Sequence, residues 1–150
     1  MKSLLLVLLM LAVLLGLVAC GALADEAACE IIRTDAPAII VNGTTLVPMR
    51  AIFEWLGAEV NYTSADKHIE AIRKGISVNL WIGDRHFKIR YSDGSRKVGN
   101  LLAKPVVRNE RTLVPLRFVS EAMNCKVEYD ADAKTVQIKD GERCGLVMLP

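Results

Sequence analysis

Thr45-Leu46-Val47-Pro48-Met49-Arg50 returns as Thr112-Leu113-Val114-Pro115-Leu116-Arg117, and Glu54, Val60, Tyr62 and Lys67 return as Glu121, Val127, Tyr129 and Lys134, each 67 residues further on. Asn42 and Asn109 keep the same interval. A sequence written twice in this way describes one supersecondary unit built twice, with the two copies burying their apolar faces against each other. The expected domain runs over 37–140, with repeats near 37–72 and 104–140.

Within each copy the local signals agree. Met49, Ile52, Phe53 and Leu56 fall at helical spacing after Pro48, which suits the first helical position because its missing N–H costs nothing there. Leu116, Val119 and Met123 repeat the stripe after Pro115. Gly57, and Asn124 in the second copy, supply the left-handed residue that ends a helix. Each helix is followed by a strand with alternating burial, Val60 and Tyr62 or Val127 and Tyr129, and then by a second strand placing Ile69 and Ala71 or Val136 and Ile138 on one face. Short strands turning at Asn42-Gly43 and Asn109-Glu110 precede the helices. Each unit therefore reads strand, strand, helix, strand, strand.

Between the copies, Ile76, Val78, Leu80 and Ile82 alternate with Ser77, Asn79 and Trp81, and Phe87, Ile89 and Tyr91 alternate with Lys88 and Arg90. Asp93-Gly94 signals a two-residue hairpin that returns through Arg96. The fold class expected is α+β, an antiparallel sheet wrapped around short helices.

The leader is equally readable. Lys2 precedes an apolar run from Leu4 to Ala19, the length of a signal-peptide core and shorter than the about 20 residues of a comfortable membrane span. Two processing sites compete. Leu17-Val18-Ala19-Cys20 reads as a bacterial lipobox, with residues 1–19 removed and Cys20 lipidated, whereas Ala22-Leu23-Ala24 would release a secreted protein. Lipidation would hold the domain at a membrane through an exposed tether over 20–36.

Removing Lys2 leaves 18 of the 19 basic residues against 17 acidic ones, a formal charge of +1. Such a balance argues against a nucleic-acid partner. Of the 4 cysteines, Cys29 stands just before the domain and Cys144 in a C-terminal tail over 141–150, so export would allow a disulfide joining the two ends. Cys125 takes the place of Ala58 in the first copy and reads as a small packed residue.

The duplicated N-G-x-T-L-V-P-x-R-x-x-x-E-x-x-G-x-x-V pattern, each followed by a hairpin, resembles the copper amine oxidase N-terminal domain family, also called the stalk domain. Glu110 and Asn124 depart from its usual glycines. The resemblance implies a sheet wrapped around a helix, forming the stalk of a mushroom-shaped dimer in the oxidases and holding neither copper nor quinone. No cofactor and no metal site is expected here: a type-2 copper site needs several histidines, and this chain has His68 and His86 only, both read as surface residues. Tyr62, Tyr91 and Tyr129 are read as sheet residues.

Arg50 with Glu54, and Arg117 with Glu121, stand four apart on their helices and can pair across a turn. With Pro48 and Pro115 they form the structural motif. From Arg85 to Arg111 the chain carries eight basic residues against Asp93 and Glu110, a stretch able to meet anionic wall polymer or lipid headgroups. Trp81, Arg96 and Lys97 are the candidate surface contacts. No Asp or Glu stands with a His or Ser in a catalytic spacing, so the chain reads as a non-enzyme. The expected role is an exported stalk or interaction domain of the cell envelope, meeting an envelope protein or a second copy of itself. A wall-polymer or glycan module is the alternative, and an accessory subunit of an amine oxidase a third reading.

Overall fold

The computed structural model describes residues 28–150. In chain order they form β1 (Glu30–Ile31), β2 (Ile39–Val41), β3 (Thr44–Pro48), α1 (Met49–Leu56), β4 (Glu59–Thr63), β5 (His68–Arg73), β6 (Ile76–Trp81), β7 (His86–Arg90), β8 (Arg96–Asn100), β9 (Val106–Arg108), β10 (Arg111–Pro115), α2 (Leu116–Ala122), β11 (Lys126–Asp130), β12 (Thr135–Asp140) and β13 (Arg143–Met148). Three sheets result, ordered β1-β13-β12-β11, β2-β3-β10-β9 and β4-β5-β6-β7-β8. The class is α+β, mostly β, and every ladder is antiparallel except the short one between β1 and β13.

The centre is the β3–β10 pair. Val47 stands opposite Val114, with Leu46 opposite Pro115 and Pro48 opposite Leu113. Residues 67 apart therefore meet at the middle of the ladder. The flanking ladders keep the interval: Glu59↔Ile72 and Lys126↔Lys139 match, and so do His68↔Trp81 and Thr135↔Met148. By the same count β13 stands where β6 stands.

This placement corrects the reading of 141–150 as a tail. Residues 143–148 pair along the whole of β12, and Val147 is buried. It also corrects the exposed tether over 20–36 for its described part, because β1 joins β13 and Ile32 packs into the core. Gly145 permits that docking. A methyl group there would stand 2.6 Å from the Ile32 side chain and 2.7 Å from the Trp55 ring, whereas the corresponding residue on β6 is Val78.

Pro48 and Pro115 precede their helices as N-caps and last strand residues, one position earlier than read from the sequence, with ψ of 119° and 110° that no helical residue adopts. Gly57 and Asn124 follow the helices in left-handed conformation, φ 68° and 62°. Ile52, Phe53 and Leu56 from α1 and Leu116, Val119 and Met123 near α2 enter one core with Ile69, Val78, Leu80, Val136 and Ile138. Each such side chain, fully buried, contributes roughly 1.5–3 kcal/mol. Tyr62 and Tyr129 do not join it. They are 51% and 53% exposed, since β4 and β11 are edge strands and only Val60 and Val127 reach inward.

One polar link crosses the interior. Arg73, at the end of β5, donates to the Asp140 carboxylate at the end of β12 and to the Met123 carbonyl at 3.1 Å. These are again residues 67 apart, carrying opposite charges.

Candidate functional site

Cross-strand pairing puts His68, Glu70, Ser77, Asn79, Trp81, Lys88, Arg90, Arg96 and Val98 on one face of the β4–β8 sheet. Its polar groups are tied in series. His68 Nε2 meets Asn79 Oδ1 at 2.8 Å, the Asn79 amide donates to Ser77 Oγ at 3.0 Å, and the Ser77 hydroxyl donates to Glu70 at 2.8 Å. Trp81 is half covered, stacked on His68 with centroids 4.9 Å apart and with Lys88 Nζ 5.4 Å from its ring. A contact of the second kind is worth about 0.5–1 kcal/mol at an exposed site.

Arg90 stands directly opposite Arg96. Like charges so placed repel, and an anion bound over them would relieve the repulsion. Lys97 does not belong to this group. It stands opposite the buried Ile89 and so leaves the edge strand on the other side of the sheet, which corrects its grouping with Trp81 and Arg96. The loop before β8 is also longer than two residues: Gly94 N–H donates to the Tyr91 carbonyl at 3.0 Å and Tyr91 N–H to Ser95 at 2.9 Å, so Ser92, Asp93 and Gly94 turn the chain, with Gly94 at φ 84°. His86 is exposed and bonds Asp84, whose carboxyl it holds below the ordinary range.

A disulfide joins Cys29 to Cys144, with Cα atoms 4.5 Å apart. The Gln137 amide lies 2.9 and 3.0 Å from the two sulfurs. Beside it, the Glu30 carboxylate accepts from Arg143 at 3.0 Å and from the Trp55 indole N–H, while the Arg143 guanidinium stands 4.7 Å from the Trp55 ring and donates to the Trp55 carbonyl. Arg143 first, and Trp55 second, hold the Glu30 carboxyl below its ordinary value of 4.5. A depressed folded value means that the cluster's contribution is present above that ordinary value and lost as pH falls through the folded one. In a Trp81→Phe background, Trp55 fluorescence is therefore expected to report loosening of β1 as the pH drops below 4.5. Glu30→Gln should remove that acid transition, and a transition unchanged by the substitution would refute the assignment.

The helix motif residues behave differently from the reading of paired charges. Neither Arg50 with Glu54 nor Arg117 with Glu121 forms an ion pair among the described residues. An arginine N-terminal to its glutamate is the weaker order for such a pair, and both guanidinium groups are exposed. The arginine that does reach across the interior is Arg73, which no motif marks. Cys125 is buried, and desolvation, more than the Asp140 charge, pushes its thiol up, away from nucleophilic use. Among the described residues no three His, Cys, Asp or Glu side chains gather as a metal would require. Cys20 lies outside the described residues.

Residues 28–142 match the family described as Copper amine oxidase N-terminal domain. The chain is also similar to a Brevibacillus choshinensis protein named "Protease inhibitor", 30% identical over 93 residues, which cover 62% of this chain and 27% of that relative. The chain thus spans about a quarter of that protein's length. No solved structure matches it.

Proposed function

The chain belongs to the copper amine oxidase N-terminal domain family, and from that premise we propose that it is a non-catalytic interaction module of stalk type, built by duplication and working at the outer face of a bacterial membrane. The observation that carries the reading is the match itself: it covers most of the chain and belongs to the domain that precedes, and does not contain, the oxidase chemistry. The buried Cys125, with His68 engaged by Asn79 and His86 by Asp84, accords with a protein that acts by its surface. A relative named as a protease inhibitor favours a protein as the thing bound.

Export and anchoring rest on Lys2, the apolar run and Cys20. An acyl chain contributes about 0.8 kcal/mol per buried methylene, so several chains on Cys20 would retain the domain at the bilayer. The face bearing Trp81, Arg90 and Arg96 favours a second reading, retention by anionic wall polymer, because it offers an aromatic ring and two opposed cations together.

One fractionation separates these possibilities. The native chain is expected in the membrane fraction and its Cys20→Ala variant in the medium. A variant that stays on membranes would sink the anchor. A variant held by purified wall, and released by Arg96→Glu but not by Lys97→Glu on the other sheet face, would establish the polymer reading in its place.

A further inference from the structure

Each half of the molecule has a groove beside the arginine of its helix, and the two grooves differ in a way that points to an occupant for one of them. In the groove at Arg50, the rim residues Glu110 and Arg111 narrow the space to about 110 Å³, and Arg111 Nε–H donates to Asp35 across it. The positions 67 residues away hold Gly43 and Thr44 in place of Glu110 and Arg111, and Leu102 in place of Asp35. The bulky rim and its ionic latch are both gone.

The groove at Arg117 is correspondingly larger, about 380 Å³. Its rim is apolar and exposed: Ile40 at 54%, Leu102 at 81% and Tyr129 at 53%. Among the described residues Arg117 is the one charged side chain lining it, and its guanidinium has no ion-pair partner there. Ile40 belongs to β2, the edge strand of its sheet. Exposed apolar side chains around a free cation at a sheet edge match an extended chain with alternating pockets for its side chains.

We infer that the groove formed by Ile40, Gly43, Thr44, Leu102, Arg117 and Tyr129 docks an extended segment of a partner protein, one that places a carboxylate on Arg117 and apolar side chains against Ile40, Leu102 and Tyr129. The commitment to an acidic partner follows from charge. A basic segment would meet the guanidinium unscreened by any acid of the groove, and a purely apolar one would bury it without a partner. The inference rests on the reading of this chain as an interaction module and adds where it binds and what chemistry it recognises.

The test is selection of displayed random heptapeptides on the purified chain with Cys20→Ala, followed by titration of the strongest. Recovered peptides are expected to carry one acidic residue between apolar ones. Replacing that acid by its amide, or Arg117→Leu in the protein, should weaken binding by about tenfold or more, the usual size of a hydrogen bond to a charged group. Arg50→Leu should leave it unchanged. Thr44→Arg with Leu102→Asp, which copies the latch of the first groove, should abolish binding while the melting temperature holds, so loss through unfolding is told apart from loss of the site. Selected peptides without acids, binding indifferent to Arg117→Leu and to the latch, or a concentration-dependent dimer broken by the latch variant would each overturn the proposal. If a partner still crosslinks to the latch variant in cells, the groove fails and the interaction module stands.

Discussion

Replacing Cys29 and Cys144 together by serine is expected to lower the stability of the domain by roughly 3–5 kcal/mol, read as the shift in its urea midpoint. The two residues are 115 apart in sequence, so the bond closes almost the whole folded chain into one loop and removes a correspondingly large set of unfolded conformations. The native side of the balance strengthens the expectation. Beyond the disulfide, β1 is held by two ladder positions, one further backbone bond from Ile32 to Leu146, the Ile32 side chain in the core, and the Glu30 cluster. Without the bond, β1 should detach before the rest unfolds, giving early amide exchange at residues 30–32 and early exposure of Trp55. A midpoint unchanged between the oxidised and the serine forms would refute the role assigned to this bond.

The second large effect is expected at the buried ion pair. Breaking such a pair from one side costs about 3–5 kcal/mol, because the remaining charge stays desolvated. Arg73 and Asp140 side chains are only 6% and 13% exposed. The two single substitutions should differ. After Arg73→Leu, Asp140 still has Lys74 Nζ 4.0 Å away on an exposed side chain able to follow it. After Asp140→Leu, Arg73 retains the Met123 carbonyl and no carboxylate among its contacts. Asp140→Leu is therefore expected at the upper end of the range and Arg73→Leu at the lower end. The double variant Arg73→Leu with Asp140→Leu should be more stable than Asp140→Leu alone, as the coupling in a double-mutant cycle. A double variant that simply adds the two losses would show that the charges do not act on each other.

The motif that links this chain to its family is short-range information. Helices α1 and α2 were legible because an apolar stripe, a preceding proline and a left-handed terminator all lie within about ten residues. The strands around Ile69 and Ile138 were legible from their alternation. The strand β13 was not, since Arg143-Cys144-Gly145-Leu146-Val147-Met148 has no clean alternation and its glycine serves a neighbour distant in sequence. The 67-residue interval persists in register where the residues no longer match: β13 keeps the place of β6 although Gly145 and Met148 stand where β6 has Val78 and Trp81.

The candidate surface shows the same division. That the stretch from Arg85 to Arg111 is basic could be counted, but that Arg96 shares a face with Trp81 while Lys97 leaves by the other depends on strand pairing. The groove at Arg117 could not be anticipated at all, because it is defined by what Gly43, Thr44 and Leu102 lack relative to their counterparts.

By itself the sequence determined where the helices begin and end, which side chains are apolar enough to be inside, and that the Thr-Leu-Val-Pro-x-Arg motif recurs 67 residues on. Only the tertiary structure decided which of two corresponding grooves is narrow and which is wide, and that Arg73 would find Asp140. The reason is physical. Propensity and periodicity act over a few residues, whereas ion pairs, disulfides and rims are set by groups brought together from opposite ends of the chain.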